Sequence, residues 1–328
     1  MTLPASGAIS IGDIATEFGI TKANVSFSSL YRANGYTSGA VAANGIANIS
    51  SNFSISQSGQ IELGQFYNAQ KGFKYVANIS SDTANYVLSD VANTAGWDGI
   101  IPIDATVIID SSKFVYSTST STAAFRITPS GNYLGGATNS RFRLVNNGFI
   151  SGKGGAGGSG GQGGGSSSVS SEPGGAGFSA TGQYSIIDVN NLGTIAGGGG
   201  GGGGGQSGRG TDGGEGTAGY GAGGGGGGAG YSGGAGGGGV GDNYSGSSGA
   251  AGSWNAGGGG GGGGSGNGVS AGSGGGGGTA GNAGGTGGNA SGLNSLNGPW
   301  GGASGGPATY GSSNITWVNT GSRLGAVS

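Results

Sequence analysis

The sequence predicts a mostly-β chain combined with polyglycine II. It divides into a small N-terminal region over residues 1–70, a short β-sheet or sandwich domain over 71–150, and a C-terminal bundle of left-handed polyglycine II helices over 151–328. Three observations carry that prediction. Apolar and polar residues alternate with period two in short runs between Phe73 and Val145. Most of the 93 glycines fall between residues 150 and 311, in runs at Gly197–Gly205, Gly223–Gly228, Gly236–Gly239, Gly257–Gly264 and Gly274–Gly278. A unit of apolar strand, Asn-rich turn and second strand leading into glycine occurs three times.

In residues 1–70, three short pieces look alike: Ala8–Ile14, Asn24–Tyr31 and Gln60–Tyr67. Each alternates apolar and polar residues and ends on apolar ones. A short strand leading into a helical turn fits, with Asp13 near a helix start and Ile11, Ile14 and Phe18 on one side of the turn. Units this small cannot bury a core alone, so they pack on each other or on a partner. The residues that would form such a docking surface are Ile9, Ile11, Ile14, Phe18, Leu30 and Tyr31. An ordinary small α+β core is the competing expectation.

Residues 71–150 read as strands at Phe73–Val76, Tyr86–Leu88, Thr106–Ile109, Phe114–Tyr116, Ala124–Ile127 and Arg141–Val145, punctuated by Gly96, Gly99, Pro102, Gly131 and Gly135. Asp98, Asp104 and Asp110 recur at intervals of six, without the ligand spacing of a Ca²⁺ loop. The repeated unit then appears as Leu144–Gly152, as Asp188–Gly197 and, degenerate, as Trp317–Gly325. Asn and Gly tolerate positive φ, so a tight turn is expected in each copy. The three copies are expected to stack, with Ile186, Ile187, Val189, Ile195, Ile315 and Val318 supplying apolar core.

Composition alone makes the glycine block a flexible linker, because glycine loses more freedom on folding than any other residue. The flanking Asn-Gly repeats and the aromatics between the runs favour order instead. Ordered poly-glycine has few options. A helix is disfavoured by about 1 kcal/mol per residue relative to alanine. A flat sheet has nothing to fix its register. Collagen needs far more than the six prolines present. A polyproline-II-type helix with three residues per turn remains, its outward N–H and C=O groups paired to neighbours. Side chains are then left to the connecting loops at Gln206–Tyr220, Ala229–Ser232, Val240–Trp254, Ser265–Ser273 and Asn289–Tyr310. Arg209, Asp212, Tyr220, Tyr231, Asp242, Tyr244, Trp254, Trp300 and Tyr310 are the candidate binding residues there. Exposed Tyr and Trp give large rigid contact area at low entropic cost, and loops on a rigid scaffold carry recognition. Each of these aromatics could equally cap the side of the bundle.

Other chemistry is thinly represented. Charged residues make up 7% of the chain and the formal net charge is −2, so no basic surplus points to nucleic acid or an anionic membrane. No cysteine or histidine occurs, which removes thiolate metal sites, disulfides and the commonest general base. The sparse carboxylates offer nothing to tune a hydrolytic pair. G-x-G-x-x-G matches occur only within glycine runs, outside any βαβ unit. We therefore expect no enzyme, no cofactor, no metal, no membrane insertion and no nucleic-acid partner.

Two stretches carry a resemblance. Pro4–Ile14 with Glu17-Phe18-Gly19 is similar to the N-termini of tailed-phage virion proteins, which implies that residues 1–70 form a virion attachment module binding a phage tail or fibre protein. The repeat with its poly-glycine runs, over roughly residues 142–328, resembles the glycine-rich tip adhesins of T-even-type long tail fibres. That resemblance implies a receptor-binding adhesin at a tail fibre or tail tip. It would be made in the host cytoplasm, assembled on the virion, and would recognise a host surface protein or polysaccharide through the loops. A virion structural protein using the glycine lattice for rigidity alone is the alternative. An ice-binding glycine bundle would need a flat face of regular Thr or Ala, which the irregular loops do not suggest.

Overall fold

The structure is a computed structural model. It describes residues 3–20, 25, 30–31, 46–47, 49–127, 139–161, 170–181, 186–211, 217–239, 244–266, 269–292 and 294–328.

The N-terminal region opens with helix α1 (Ile11–Glu17). Ser10 caps it: its Oγ accepts from the Asp13 N–H at 3.1 Å, and Asp13 Oδ2 accepts from the Ser10 N–H at 2.9 Å. Ile14 and Phe18 are fully buried with Leu30, Ile46, Ile55 and Phe66 in a core of their own, and the Leu3 N–H donates to Ala69 O to close the region.

The rest is built from strands in chain order: β1 (Phe73–Ile79), β2 (Thr83–Ala84), β3 (Tyr86–Val87), then helix α2 (Leu88–Thr94), β4 (Ile103–Ile109), β5 (Phe114–Tyr116), β6 (Phe125–Arg126), β7 (Arg141–Asn146), β8 (Phe149–Ser151) and β9 (Phe178–Ser179). They continue as β10 (Ile186–Asn191), β11 (Thr194–Ala196), β12 (Ser207–Thr211), β13 (Thr217–Tyr220), β14 (Ser265–Gly266), β15 (Val269–Ser270), β16 (Asn294–Asn297), β17 (Thr309–Tyr310), β18 (Ile315–Asn319) and β19 (Ser322–Leu324).

Three parallel sheets organise these strands, in the orders β1-β4-β7-β10-β18, β19-β11-β8-β5-β2 and β17-β9-β6-β3. Each early pass of the chain adds one strand to each sheet in turn, which is the stacking logic of a parallel solenoid. Their inward residues form one core: Phe142, Leu144 and Val189 from the first sheet, Val115, Ile150 and Ile195 from the second, Phe125 and Phe178 from the third. Leu88 and Ala92 of α2 and the following Trp97 are buried in the same core. The three sequence repeats are neighbours in register, Leu144 against Val189 and Val189 against Trp317. At their turns the buried side chain of Asn146 donates to Asn191 Oδ1 at 2.7 Å, and Asn191 donates to Thr320 O at 2.7 Å.

The expected fold class needs correction. The framework is mostly β and dominated by parallel sheets, and a bundle of left-handed polyglycine II helices is not shown. The helices among the described residues are α1 and α2, seven residues each, with three short 3₁₀ turns. The physical reason lies in where register comes from. Glycine offers no side chain to fix a pairing, so the glycine segments inherit theirs from strands that have a core. β8 and β11 pair in parallel, and that alignment runs on past their ends. Gly152 N–H donates to Ala196 O, Gly155 to Gly199 and Gly158 to Gly202, each at 2.9 Å, and Gly161 to Gly205 at 3.3 Å.

Candidate functional site

The glycine segments run away from the sheets and return, so their connecting turns gather at two ends. Within Gly197–Gly205, bonding cycles through different neighbours every third residue. Gly199, Gly202 and Gly205 donate to Ala229, Gly226 and Gly223, while Gly200 and Gly203 donate to Asn282 and Gly285. The remaining directions are also filled. A Cβ on any of these nine glycines would collide with a backbone carbonyl of another segment. Backbone packs directly on backbone, with its polar groups paired.

The near end, beside the second sheet, holds Tyr231 and Trp254. The Tyr231 ring lies 4.8 Å from that of Phe114 and 4.1 Å from that of Tyr116, and its hydroxyl donates to Asp82 Oδ2 at 2.8 Å. Trp254 meets Phe114 and Phe149 edge-on at 5.4 and 5.2 Å. The Asp82 carboxyl is held below the usual carboxylate range, chiefly by the Tyr231 hydroxyl and then by the Phe114 N–H, and the same bond pushes the Tyr231 hydroxyl up.

The far end carries the other predicted residues. β12, β13 and β16 form an antiparallel sheet there in the order β13-β12-β16, and β14 and β15 form a hairpin. Tyr220 and Tyr244 stack with centroids 4.7 Å apart and 5° between planes. Tyr220 is fully buried beside Ala222 and Ala271, and its hydroxyl has no hydrogen-bond partner. Gly266 lies on the Tyr244 ring so closely that an added Cβ would sit 2.9 Å from it. The Gln206 side chain donates to Gly298 O at 2.8 Å and accepts from the Ala290 N–H at 3.0 Å, tying the turn before Trp300 to the array. Arg209 on β12 is exposed and Trp300 half-buried. Asp212 and Asp242 lie outside the described residues.

The structure therefore brings together Arg209, Tyr220, Tyr244 and Trp300 at one end, and Tyr231 and Trp254 at the other. Tyr310 sits apart from both, exposed on β17 of the third sheet. Sequence reasoning took Val240–Trp254 for one loop, but residues 246–253 are a further array segment. Gly246, Gly249 and Gly252 each touch backbone where a Cβ would collide. Their spacing of three was the available signal. Of the N-terminal candidates, Ile14, Phe18 and Leu30 are core, Ile9 is partly buried against it, and the Tyr31 hydroxyl donates to Gly59 O. Ile11 is the exposed one. Among the described residues no acidic group of three or more could hold a metal ion, and no helix is long and apolar enough to cross a membrane.

Residues 74–328 match the family model described as phage tail fibre adhesin Gp38. Among solved structures, the chain is similar to one in the gp37-gp38 adhesin tip complex of the bacteriophage S16 long tail fibre, with 20% identity and a TM-score of 0.44 over 83% of this chain and 88% of that one. No curated protein matches it.

Proposed function

Since the chain belongs to the phage tail fibre adhesin Gp38 family, a family of virion adhesins rather than enzymes, we propose that it recognises its host receptor through the far-end turns of the glycine array. The observation that carries this reading is the division of labour within the array. Its interior has no room for a Cβ, whereas the far end holds Arg209 on the antiparallel strand β12, Tyr244 stacked on Tyr220, and Trp300 just after β16. Tyr244 and Arg209 meet the receptor, and Tyr220 supports Tyr244 from below. A rigid base under adaptable polar and aromatic tips is the economy of other recognition surfaces.

The receptor is a host outer-surface protein or polysaccharide. Residues 1–70 form the unit mounted on a phage fibre protein, with Ile11 its exposed apolar contact, residues 71–150 the first part of the framework, and 151–328 the presenting part. Tyr231 and Trp254, packed on Phe114, Tyr116 and Phe149, serve the array's seating and not the receptor.

Adsorption of host cells by purified protein tests this. Tyr244→Ala should lower cell binding at least tenfold at temperatures well below its melting point, because loss of a central aromatic anchor costs about 2 kcal/mol or more. Equal binding by the variant would reject the far-end assignment.

A further inference from the structure

The third sheet carries, on the side away from the main core, a row that is buried at Val87 and Ser179 and opens to solvent at Tyr310. Phe125 and Phe178 point into the core. Their sequence neighbours Arg126 and Ser179 are paired in register on the opposite face, and Ser179 is paired in turn with Tyr310. This outer row, Val87–Arg126–Ser179–Tyr310, contains no carboxylate.

Arg126 is the unusual member. Its Nε is buried and has no hydrogen-bond partner. Among the described residues no ion pair reaches it, whereas Arg141 is paired with Asp188 and Arg323 lies over the Trp317 ring at 4.8 Å. A buried guanidinium N–H without an acceptor is a standing loss of stability. Beside it the Ser179 hydroxyl shares a hydrogen bond of 3.0 Å with that of Thr181, and Tyr310 is 46% exposed. Arg126 and Tyr310 are two strand spacings apart, roughly 10 Å, about the span of one or two sugar rings.

We propose that Arg126, Ser179 and Tyr310 form a second binding site, separate from the far-end turns, for a saccharide carrying an oxyanion. The guanidinium fork matches a carboxylate or phosphate group. The buried Ser179 hydroxyl is bonded to that of the exposed Thr181, which meets sugar hydroxyls, and the exposed Tyr310 side chain takes the C–H face of a ring. The cell surface as the source of that saccharide rests on the adhesin reading; the site itself does not.

Calorimetric titration of the full chain with glucose 6-phosphate, glucuronate, glucose and inorganic phosphate tests it. At least one of the two acidic sugars should bind, and which of them does separates a phosphate source from an uronate source. Glucose should bind at least tenfold more weakly, and added salt should weaken the acidic sugar. Arg126→Gln should weaken binding at least tenfold, and Arg126→Lys should restore part of it. Tyr310→Ala should weaken binding several-fold, which keeps the test intact if the Arg126 variants fail to fold. Absence of binding by both acidic sugars, or binding that Arg126→Gln and Tyr310→Ala leave unchanged, would overturn the site. Inorganic phosphate binding as tightly as glucose 6-phosphate would reduce it to a free-anion site and overturn the saccharide. Tyr244→Ala should leave these titrations unaltered, so failure at the far end and failure here are distinguishable.

Discussion

The Tyr231 hydroxyl donates to Asp82 Oδ2 at 2.8 Å across 149 residues of chain. It joins a turn of the glycine array to a loop beside the second sheet, and the ring above it stacks on Tyr116. This contact and the Trp254 contacts hold the near end of the array against β5 and β8.

The joint should respond to acid. The carboxyl of Asp82 is depressed in the folded state by the Tyr231 hydroxyl and the Phe114 N–H. Its contribution is therefore present above the ordinary carboxylate range and lost as pH falls through the folded value. Hydrogen exchange at residues 229–233 should quicken as pH drops below about 4, after correction for intrinsic rates. Asp82→Asn should remove most of that acid response; an unchanged response would place it elsewhere.

Trp254→Ala removes two edge-on ring contacts and should destabilise the protein by about 1–3 kcal/mol, at about 0.5–1.5 kcal/mol per pair. Cell binding at low temperature should be retained. Chemical denaturation with a parallel adsorption assay checks both halves.

Alanine at two glycines should separate interior from surface. At Gly201 the new Cβ would strike Ala156 O and adjoining backbone, so Gly201→Ala should lose about 3 kcal/mol or more. At Gly259 nothing lies within 4 Å, so Gly259→Ala should be neutral or stabilising by up to about 1 kcal/mol. Melting temperatures that fail to differ would refute the backbone-on-backbone packing.

Lys74 supplies an alkaline test. Burial lowers its ammonium from 10.5 to about 8. Between those values the unfolded chain holds the proton and the folded one does not, so stability should rise as pH climbs from about 8 towards 10. A denaturation midpoint series over that window should show the rise, and Lys74→Met should flatten it.

The buried Asn146–Asn191 pair makes the last prediction. Asn191→Leu leaves the Asn146 amide only its longer 3.3 Å bond to Thr194 O and removes the donor to Thr320 O, at about 1–3 kcal/mol for each buried group left unsatisfied. Urea denaturation measures the loss.

The strands of residues 71–150 were legible because alternation writes itself into short segments: six predicted runs overlap β1, β3, β4, β5, β6 and β7. Their parallel pairing was not legible. Alternation is local, whereas the partner of Leu144 is Val189, 45 residues on. The same limit explains the fold-class error, since glycine runs carry no mark of which neighbour they will bond. At the far end the aromatics announced themselves, but only the turn geometry separates Tyr244 from Tyr231. The orphaned Arg126 gave no signal at all, because an arginine in a two-residue strand looks like any solvated charge.

The crowding around Gly197–Gly205 also reaches the gene. Every glycine codon begins with two guanines, and any change at either position installs a side chain, a stop signal or a different backbone preference. Across those nine codons the only free letter is the third, so this stretch can drift in its nucleotides while its protein stays fixed. Change in the protein must then fall elsewhere, at positions such as Gly259 where a new side chain meets open space.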